Sequence, residues 1–119
     1  MKKINKLLLA GLLFALATSS FAASKKSIVC TTFPQYDWIK NILGNKAGTF
    51  EVTLLLNNGT DLHSYQPSVK DIAKISTSDL FVYVGGESDE WVENVLAGAK
   101  NKNMLVVNML EALGDNVYR

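Results

Sequence analysis

Four short apolar segments recur along the chain and alternate with segments of helical periodicity. The apolar segments are rich in β-branched residues and occupy positions 27–32, 50–56, 80–84 and 104–107. Their hydrophobicity is nearly continuous rather than alternating, which is typical of strands with both faces covered, as in parallel sheets. The pattern therefore predicts an α/β fold with a four-stranded parallel sheet flanked by helices, built from right-handed strand–helix–strand units.

The predicted helices lie between these strands and after the last one. Apolar residues at helical spacing predict the first helix near residues 36–43. Ser68 is the expected N-cap of the second helix, with Asp71 near the positive end of the helix dipole. A third helix is predicted over residues 88–99 and a fourth over residues 109–114.

The first 22 residues have the pattern of a secretory signal peptide, with a positive start, an apolar core and a small-x-small cleavage site. The apolar core has about 11 residues, fewer than the roughly 20 that a membrane-spanning helix needs. We therefore predict a signal peptide at residues 1–22 and an exported domain at residues 23–119, with a retained membrane anchor as the alternative. No cysteine lies at the cleavage site, so we expect no lipid attachment there and predict a periplasmic location.

The charge of the exported part is nearly balanced. The chain has 12 basic and 11 acidic residues, and removal of the three lysines in residues 1–22 leaves 9 basic residues and a net charge near -2. This balance gives no electrostatic reason to expect binding to nucleic acid or to an anionic membrane. Cys30 is the single cysteine and lies inside an apolar strand, so we expect a buried, unreactive thiol and no intramolecular disulfide.

His63 is the only histidine, and its loop follows the predicted strand at residues 50–56. Ligand sites in open α/β sheets lie outside the carboxyl ends of the strands, where this loop would emerge. An imidazole there can bind a metal through one ring nitrogen while a hydrogen bond orients the other. His63 is thus a candidate metal ligand, with a plain polar loop residue as the alternative, because one histidine is not a complete zinc site.

Asp61 lies two residues before His63 and has two interpretations. Its carboxylate could orient the imidazole, or it could only accept a hydrogen bond within the loop, as in an Asx turn. The sequence leaves both open.

Three stretches of the mature chain contain motifs that follow one another in a fixed order. They are residues 29–38 (VCTTFPQYDW), residues 58–67 (NGTDLHSYQP) and residues 71–93, which begin DIAKISTSDL and end EWVE. The first is similar to an opening strand with a Thr-x-Pro-like turn, and the second to an Asp-x-His-x-(Tyr/Phe)-x-Pro loop. In this order and spacing, the three stretches resemble the N-terminal part of the zinc/manganese-binding solute-binding proteins of bacterial ABC importers, the cluster A-I (ZnuA/TroA-type) family.

The resemblance implies a periplasmic receptor that captures a divalent metal and delivers it to a membrane permease. Members have two α/β lobes joined by one long helix, with the metal between the lobes. Residues 23–119 would then form the N-terminal lobe, and His63 matches the family's first ligand. The other ligands would lie beyond Arg119, so we expect a truncated chain that binds metal weakly alone. We expect a monomer whose cargo is Zn²⁺, with Mn²⁺ as the alternative.

Other conspicuous residues have simpler interpretations. The acidic cluster at residues 87–90 is expected to complement a helix dipole, with the metal cleft or the permease as the alternative contact. Trp38 and Trp91 lie at helical positions and are expected to pack in the core. Gly85 and Gly86 lack the Lys-Ser/Thr of a phosphate loop, so a nucleotide role is not expected.

Two other classes of function compete with transport. An exported hydrolase could use His63 as a general base, but no Gly-x-Ser-x-Gly elbow and no second histidine are present. A surface adhesin module is the other alternative, and no residue supports it independently. We therefore predict a binding protein, not an enzyme.

Overall fold

The computed structural model describes residues 23–116, so the predicted signal peptide at residues 1–22 lies outside the described residues. Strands and helices alternate along this part of the chain. The strands are β1 (Lys26–Cys30), β2 (Phe50–Leu54), β3 (Leu80–Tyr83) and β4 (Leu105–Asn108). The helices are α1 (Phe33–Leu43), α2 (Val69–Thr77), α3 (Trp91–Ala97) and α4 (Met109–Leu113). None of the helices within residues 23–116 is long and apolar enough to cross a membrane.

The four strands form one parallel sheet in the order β2-β1-β3-β4. This confirms the predicted fold class. Several predicted elements were one to three residues too long at an end: β1 ends at Cys30 and β3 at Tyr83. Strand β2 ends at Leu54, although the next two N–H groups still bond to carbonyls at the end of β1, and α3 begins at Trp91 after a separate 3-10 turn at Glu87–Asp89.

Both faces of the sheet are apolar, and each is covered by different helices. Helix α1 packs on one face against a small core centred on Ile28, Cys30 and Val82. Helices α2 and α3 cover the opposite face, where the larger core contains Ile75, Phe81 and Val92 among others. This covering explains the continuous hydrophobicity of the strands.

Cys30 is completely buried, as predicted, and burial raises the pKa of its thiol to about 11. Trp91 is half-buried against the larger core, which confirms its predicted packing role. The same prediction was wrong for Trp38, whose surface is 53% exposed. Helix α1 covers only the β1–β2 half of one face of the sheet. Trp38 therefore borders an open apolar groove of about 210 Å³ beside β3 and β4.

The start of α2 confirms the predicted cap. The Ser68 hydroxyl accepts a hydrogen bond from the Asp71 N–H, and the Asp71 carboxylate accepts one from the Ser68 N–H at 3.0 Å. Partial burial alone would raise the pKa of Asp71, but its hydrogen bonds from Ser68 and the nearby Lys74 bring the pKa below the usual value. This reciprocal pair fixes where the loop that contains His63 joins the helix.

Gly85, immediately beyond the end of β3, provides a test of this fold. Its φ of +93° lies in the region that favours glycine, and a Cβ there would overlap the side-chain amide of Asn108 at the end of β4. We expect Gly85→Ala to lower the free energy of unfolding by about 1–3 kcal/mol through backbone strain, with the overlap adding to it. Urea denaturation of residues 23–119 measures the change.

Gly48→Ala is the matched control, because Gly48 has an ordinary φ and open space around its Cα. We expect it to leave stability unchanged or slightly raised. Equal destabilisation by the two substitutions would contradict the described packing between the ends of β3 and β4.

Candidate functional site

The carboxyl ends of all four strands lie at one edge of the sheet, because every neighbouring pair is parallel. The loops that follow the strands therefore meet there, and in open α/β sheets this edge is where ligands bind. We call it the carboxyl edge. The loop after β1 uses its own polar groups: Gln35 Oε1 accepts hydrogen bonds from the Thr31 hydroxyl at 3.0 Å and the Thr32 N–H at 3.2 Å.

His63 lies on the loop after β2, in a one-turn 3-10 helix at Leu62–Ser64. Its side chain is 79% exposed. Asp61 Oδ1 accepts a hydrogen bond from the His63 N–H at 3.1 Å and lies 3.6 Å from Nδ1 of the same residue. The Asx-type turn is therefore present. The carboxylate also flanks the Nδ1 side of the ring, which leaves Nε2 free to meet a ligand.

The exposed imidazole is held by buried neighbours on both sides. Leu62 packs against the larger core, and Tyr65 is almost fully buried in it. The Tyr65 ring meets the Trp91 ring edge-on, with 5.7 Å between the ring centroids. Burial, with a smaller effect of the Asp71 carboxylate, raises the pKa of the Tyr65 hydroxyl well above its usual value. The loop is thus anchored to the core while His63 points into solvent.

Asp89 lies in the next loop, and the structure changes its interpretation. The 3-10 turn at Glu87–Asp89 contacts the turn that bears His63. Asp89 is only 3% exposed; Oδ2 accepts a hydrogen bond from the Gly85 N–H at 2.8 Å, whereas Oδ1 has no partner among the described residues. Burial raises the pKa of Asp89, and backbone hydrogen bonds from Gly85 and Val84 partly oppose this. One member of the acidic cluster is therefore buried beneath the loop rather than solvated.

A polar cavity of about 560 Å³ opens beside this turn, between the carboxyl ends of β3 and β4. We call it the β3–β4 cavity. Its polar lining residues are Tyr83, Asp89, Glu90, Glu93, Asn108 and Glu111. Within residues 23–116, however, no three His, Cys, Asp or Glu side chains are close enough together to hold a metal ion. His63, the predicted ligand, lies exposed on the loop after β2, and the described residues do not complete a metal site around it.

Charge is unevenly divided between the carboxyl edge of the sheet and the opposite edge, where the amino ends of the strands lie. The acidic residues in loops after strands or in first helical turns are Asp61, Asp71, Glu87, Asp89, Glu90, Glu93 and Glu111. The lysines at strand starts, in the segments before strands or in last helical turns are Lys25, Lys26, Lys40, Lys46, Lys74, Lys100 and Lys102. Three residues depart from this division: Lys70 lies in the first turn of α2, whereas Glu51 and Asp79 lie at or just before strand starts. The charge of Asp79 is paired there, since Lys26 Nζ lies 3.2 Å from Asp79 Oδ1. The carboxyl edge therefore presents a negative field that attracts cations.

The sequence pointed to His63 and to the acidic cluster but not to the buried state of Asp89. The signal that could have found it is the pair Gly85-Gly86 directly before the cluster. Two glycines at positive φ let the chain turn back over β3 and bring the Gly85 N–H to the Asp89 carboxylate.

Comparison with known sequences identifies relatives over most of the chain. A family profile described as "Zinc-uptake complex component A periplasmic" (ZnuA) matches residues 28–117. The zinc-binding lipoprotein AdcA of Streptococcus pneumoniae is 40% identical over 119 residues, which cover 97% of this chain and 22% of that protein. The zinc-binding protein AdcA of Streptococcus pyogenes is 35% identical over 102 residues, which cover 82% of this chain and 19% of that protein.

Solved structures of zinc-binding proteins have a similar fold. The Zn(II)-bound ZnuA-like domain of Streptococcus pneumoniae AdcA is similar, with a TM-score of 0.61 and 36% identity over 76% of this chain and 32% of that chain. The periplasmic zinc-binding protein TroA of Treponema pallidum has a TM-score of 0.66 and 25% identity over 77% of this chain and 32% of that chain. Both support the predicted parallel α/β lobe.

The chain spans about a fifth of the length of the curated relatives named above. The profile match nevertheless includes most of β1, the other three strands, the His63 loop and the β3–β4 cavity. This agrees with the resemblance found in the sequence motifs. The chain therefore belongs to the ZnuA family.

Proposed function

We propose that these residues form the front lobe of a periplasmic receptor of an ABC uptake system, in which His63 supplies one ligand to a captured divalent metal. The observation that carries the proposal is the exposed imidazole on a short turn, anchored to the core at the carboxyl edge. An unsupported histidine would have to be immobilised when metal binds, whereas this loop is already fixed by Tyr65 and Leu62.

Zinc is the proposed cargo. The similar AdcA and ZnuA proteins are named as zinc-binding or zinc-uptake proteins. Structures of the solute-binding protein FpvC of Pseudomonas aeruginosa, 28% and 30% identical to this chain, contain Ni²⁺ and Mn²⁺ respectively, so Mn²⁺ is the alternative cargo. Imidazole suits zinc and nickel better than it suits manganese, which favours oxygen ligands.

One imidazole contributes one of the roughly four ligands that zinc takes. Since the described residues do not complete the shell, the remaining ligands would come from polypeptide outside them, from a second chain or from water. The carboxyl edge is the surface on which such a second lobe would close. Residues 23–119 alone are therefore expected to bind zinc weakly.

Export and delivery complete the proposal. Residues 1–22 would direct the chain to the periplasm as a signal peptide, and a membrane permease would receive the metal. The family description, a periplasmic component of a zinc-uptake complex, supports export and a role in uptake, and the lipoprotein in the name of AdcA agrees with a location outside the cytoplasm. The hydrolase and adhesin alternatives gain no support, because the named relatives are zinc-binding or zinc-uptake proteins.

Removal of the His63 imidazole tests the ligand assignment. We expect His63→Ala to abolish the saturable zinc binding of residues 23–119, because His63 is the only histidine in the chain. Competition titration against a chromogenic zinc chelator measures the affinity. Gln66→Ala, at an exposed position on the same loop, is the control and should bind as the wild type does. Equal zinc affinity in wild type and His63→Ala would contradict the assignment.

Asp61 allows the two roles of its carboxylate to be separated. Asn at this position keeps an oxygen for the His63 N–H, whereas Ala removes both the turn acceptor and the charge beside Nδ1. If the carboxylate orients the imidazole, Asp61→Asn and Asp61→Ala should both weaken zinc binding by about 10-fold or more. Nitrogen-15 NMR of the single imidazole at alkaline pH should also show a smaller Nδ1–H tautomer fraction in Asp61→Asn.

The alternative outcome is equally clear. If Asp61 only forms the turn, Asp61→Asn keeps both the zinc affinity and the tautomer balance of the wild type, and only Asp61→Ala is weakened. That result would remove Asp61 from the metal site.

A further inference from the structure

Strand β4 lies at one side of the sheet, and within residues 23–116 no strand pairs with its outer side. Natural edge strands are usually protected by charged side chains, proline or a bulge, because their free N–H and C=O groups can pair with another chain. Strand β4 contains none of these, whereas β2 at the other side carries the exposed Glu51. The outer side of β4 is therefore a surface to which a further strand can add.

The exposed side chains of β4 are apolar on both faces of the sheet. Leu105 is 69% exposed and Val106 is 43% exposed, and successive side chains of a strand point to opposite faces. An open depression of about 350 Å³ beside the strand is lined by Val106, Val107, Asn108, Glu111 and Ala112. A strand that paired here would cover apolar surface as well as free backbone groups.

The hydrogen bonding to β3 shows which backbone groups of β4 are directed outwards. The Leu105 N–H donates to the Asp79 carbonyl at 2.9 Å, so Leu105 directs its backbone groups towards β3. The direction alternates along a strand, so the backbone groups of Val106 and the Asn108 N–H point outwards. A two-fold axis at Val106 would let this residue exchange two hydrogen bonds with its own copy in antiparallel pairing. The Asn108 N–H of each copy would then donate to the Met104 carbonyl of the other.

The charges around β4 favour this antiparallel arrangement. Lys102 lies just before the strand, Glu111 lies just after it, and both side chains are exposed. Antiparallel pairing brings Lys102 of each copy beside Glu111 of the other, whereas parallel pairing would set like charges side by side. It also sets the negative carboxyl edge of each copy beside the lysine-rich opposite edge of the other. The strand that fits β4 is therefore β4 of a second copy.

We propose that residues 23–119 form a symmetric dimer in which the two β4 strands pair antiparallel and join both sheets into one. The proposal does not depend on metal binding, because β2 and the His63 loop lie at the far side of the sheet. Few residues pair, so the interface belongs to the small, transient class that buries less than about 1,200 Å². We expect a dissociation constant on the order of 100 µM, and thus a weak dimer in place of the monomer expected from the resemblance.

Charge reversal tests this arrangement by sedimentation equilibrium at low salt, where exposed charges interact most strongly. Glu111→Lys alone sets lysines against each other across the two-fold axis, and Lys102→Glu alone does the same with glutamates. Each should weaken dimerisation by about 10-fold or more, since two attractive pairs become repulsive. A mixture of the two variants should restore the dimer, because each introduced charge then faces an opposite charge in the other chain.

Glu51→Lys is the matched control. It makes the same charge change as Glu111→Lys at an exposed position on β2, so it should dimerise as the wild type does. Val106→Pro tests the backbone pairing separately, because it removes an outward N–H and no hydrogen bond to β3. It should abolish the dimer while proton–nitrogen NMR shows that the fold is retained. The charge variants decide the question even if Val106→Pro fails to fold.

Either of two results would overturn the proposal. One is a wild-type chain that stays monomeric at about 1 mM, well above the expected dissociation constant. The other is a dimer whose affinity does not follow the charge pattern, so that the single variants dimerise as the wild type does or their mixture dimerises no better than each alone. That outcome would place the contact on another surface, such as the groove beside Trp38.

Discussion

Parallel pairing of all four strands is the constraint on which the rest of the molecule depends. It requires each crossover to return across a face of the sheet, so both faces are covered by helices and the strands are apolar throughout. It also brings every strand's carboxyl end to one edge. The His63 turn, the buried Asp89 and Asn108 come from three separate segments and share that edge because of this pairing alone.

Several glycines with positive φ and an unsatisfied polar group lie at the same edge. Gly85 and Gly86 both have positive φ, Asn108 fills the space that a side chain at Gly85 would need, and Asp89 retains an unpaired oxygen. Tyr65 Oη and Trp91 Nε1 are also buried without a partner within residues 23–116, whereas the Ser68–Asp71 cap is satisfied locally. Natural chains depart from local consistency mainly where they bind or react, which agrees with the binding role proposed for the carboxyl edge.

Sequence patterns predicted much of this structure. Continuous hydrophobicity predicted parallel strands, and the loop motif predicted the position of His63, because both are local properties of the chain. The partly exposed Trp38 was missed, since its exposure depends on which half of the sheet α1 covers. The burial of Asp89 was missed for a related reason: it depends on a turn that folds back over β3 and on the loop after β2.

Direct coordination by His63 is the central claim, and the chain's single imidazole allows one experiment to test it. Long-range proton–nitrogen NMR of nitrogen-15-labelled residues 23–119 resolves both ring nitrogens during a zinc titration. Our account predicts that Nε2 shifts with saturation as zinc is added. If zinc binds while both ring nitrogens remain at their metal-free positions, His63 is not the ligand and the account is wrong.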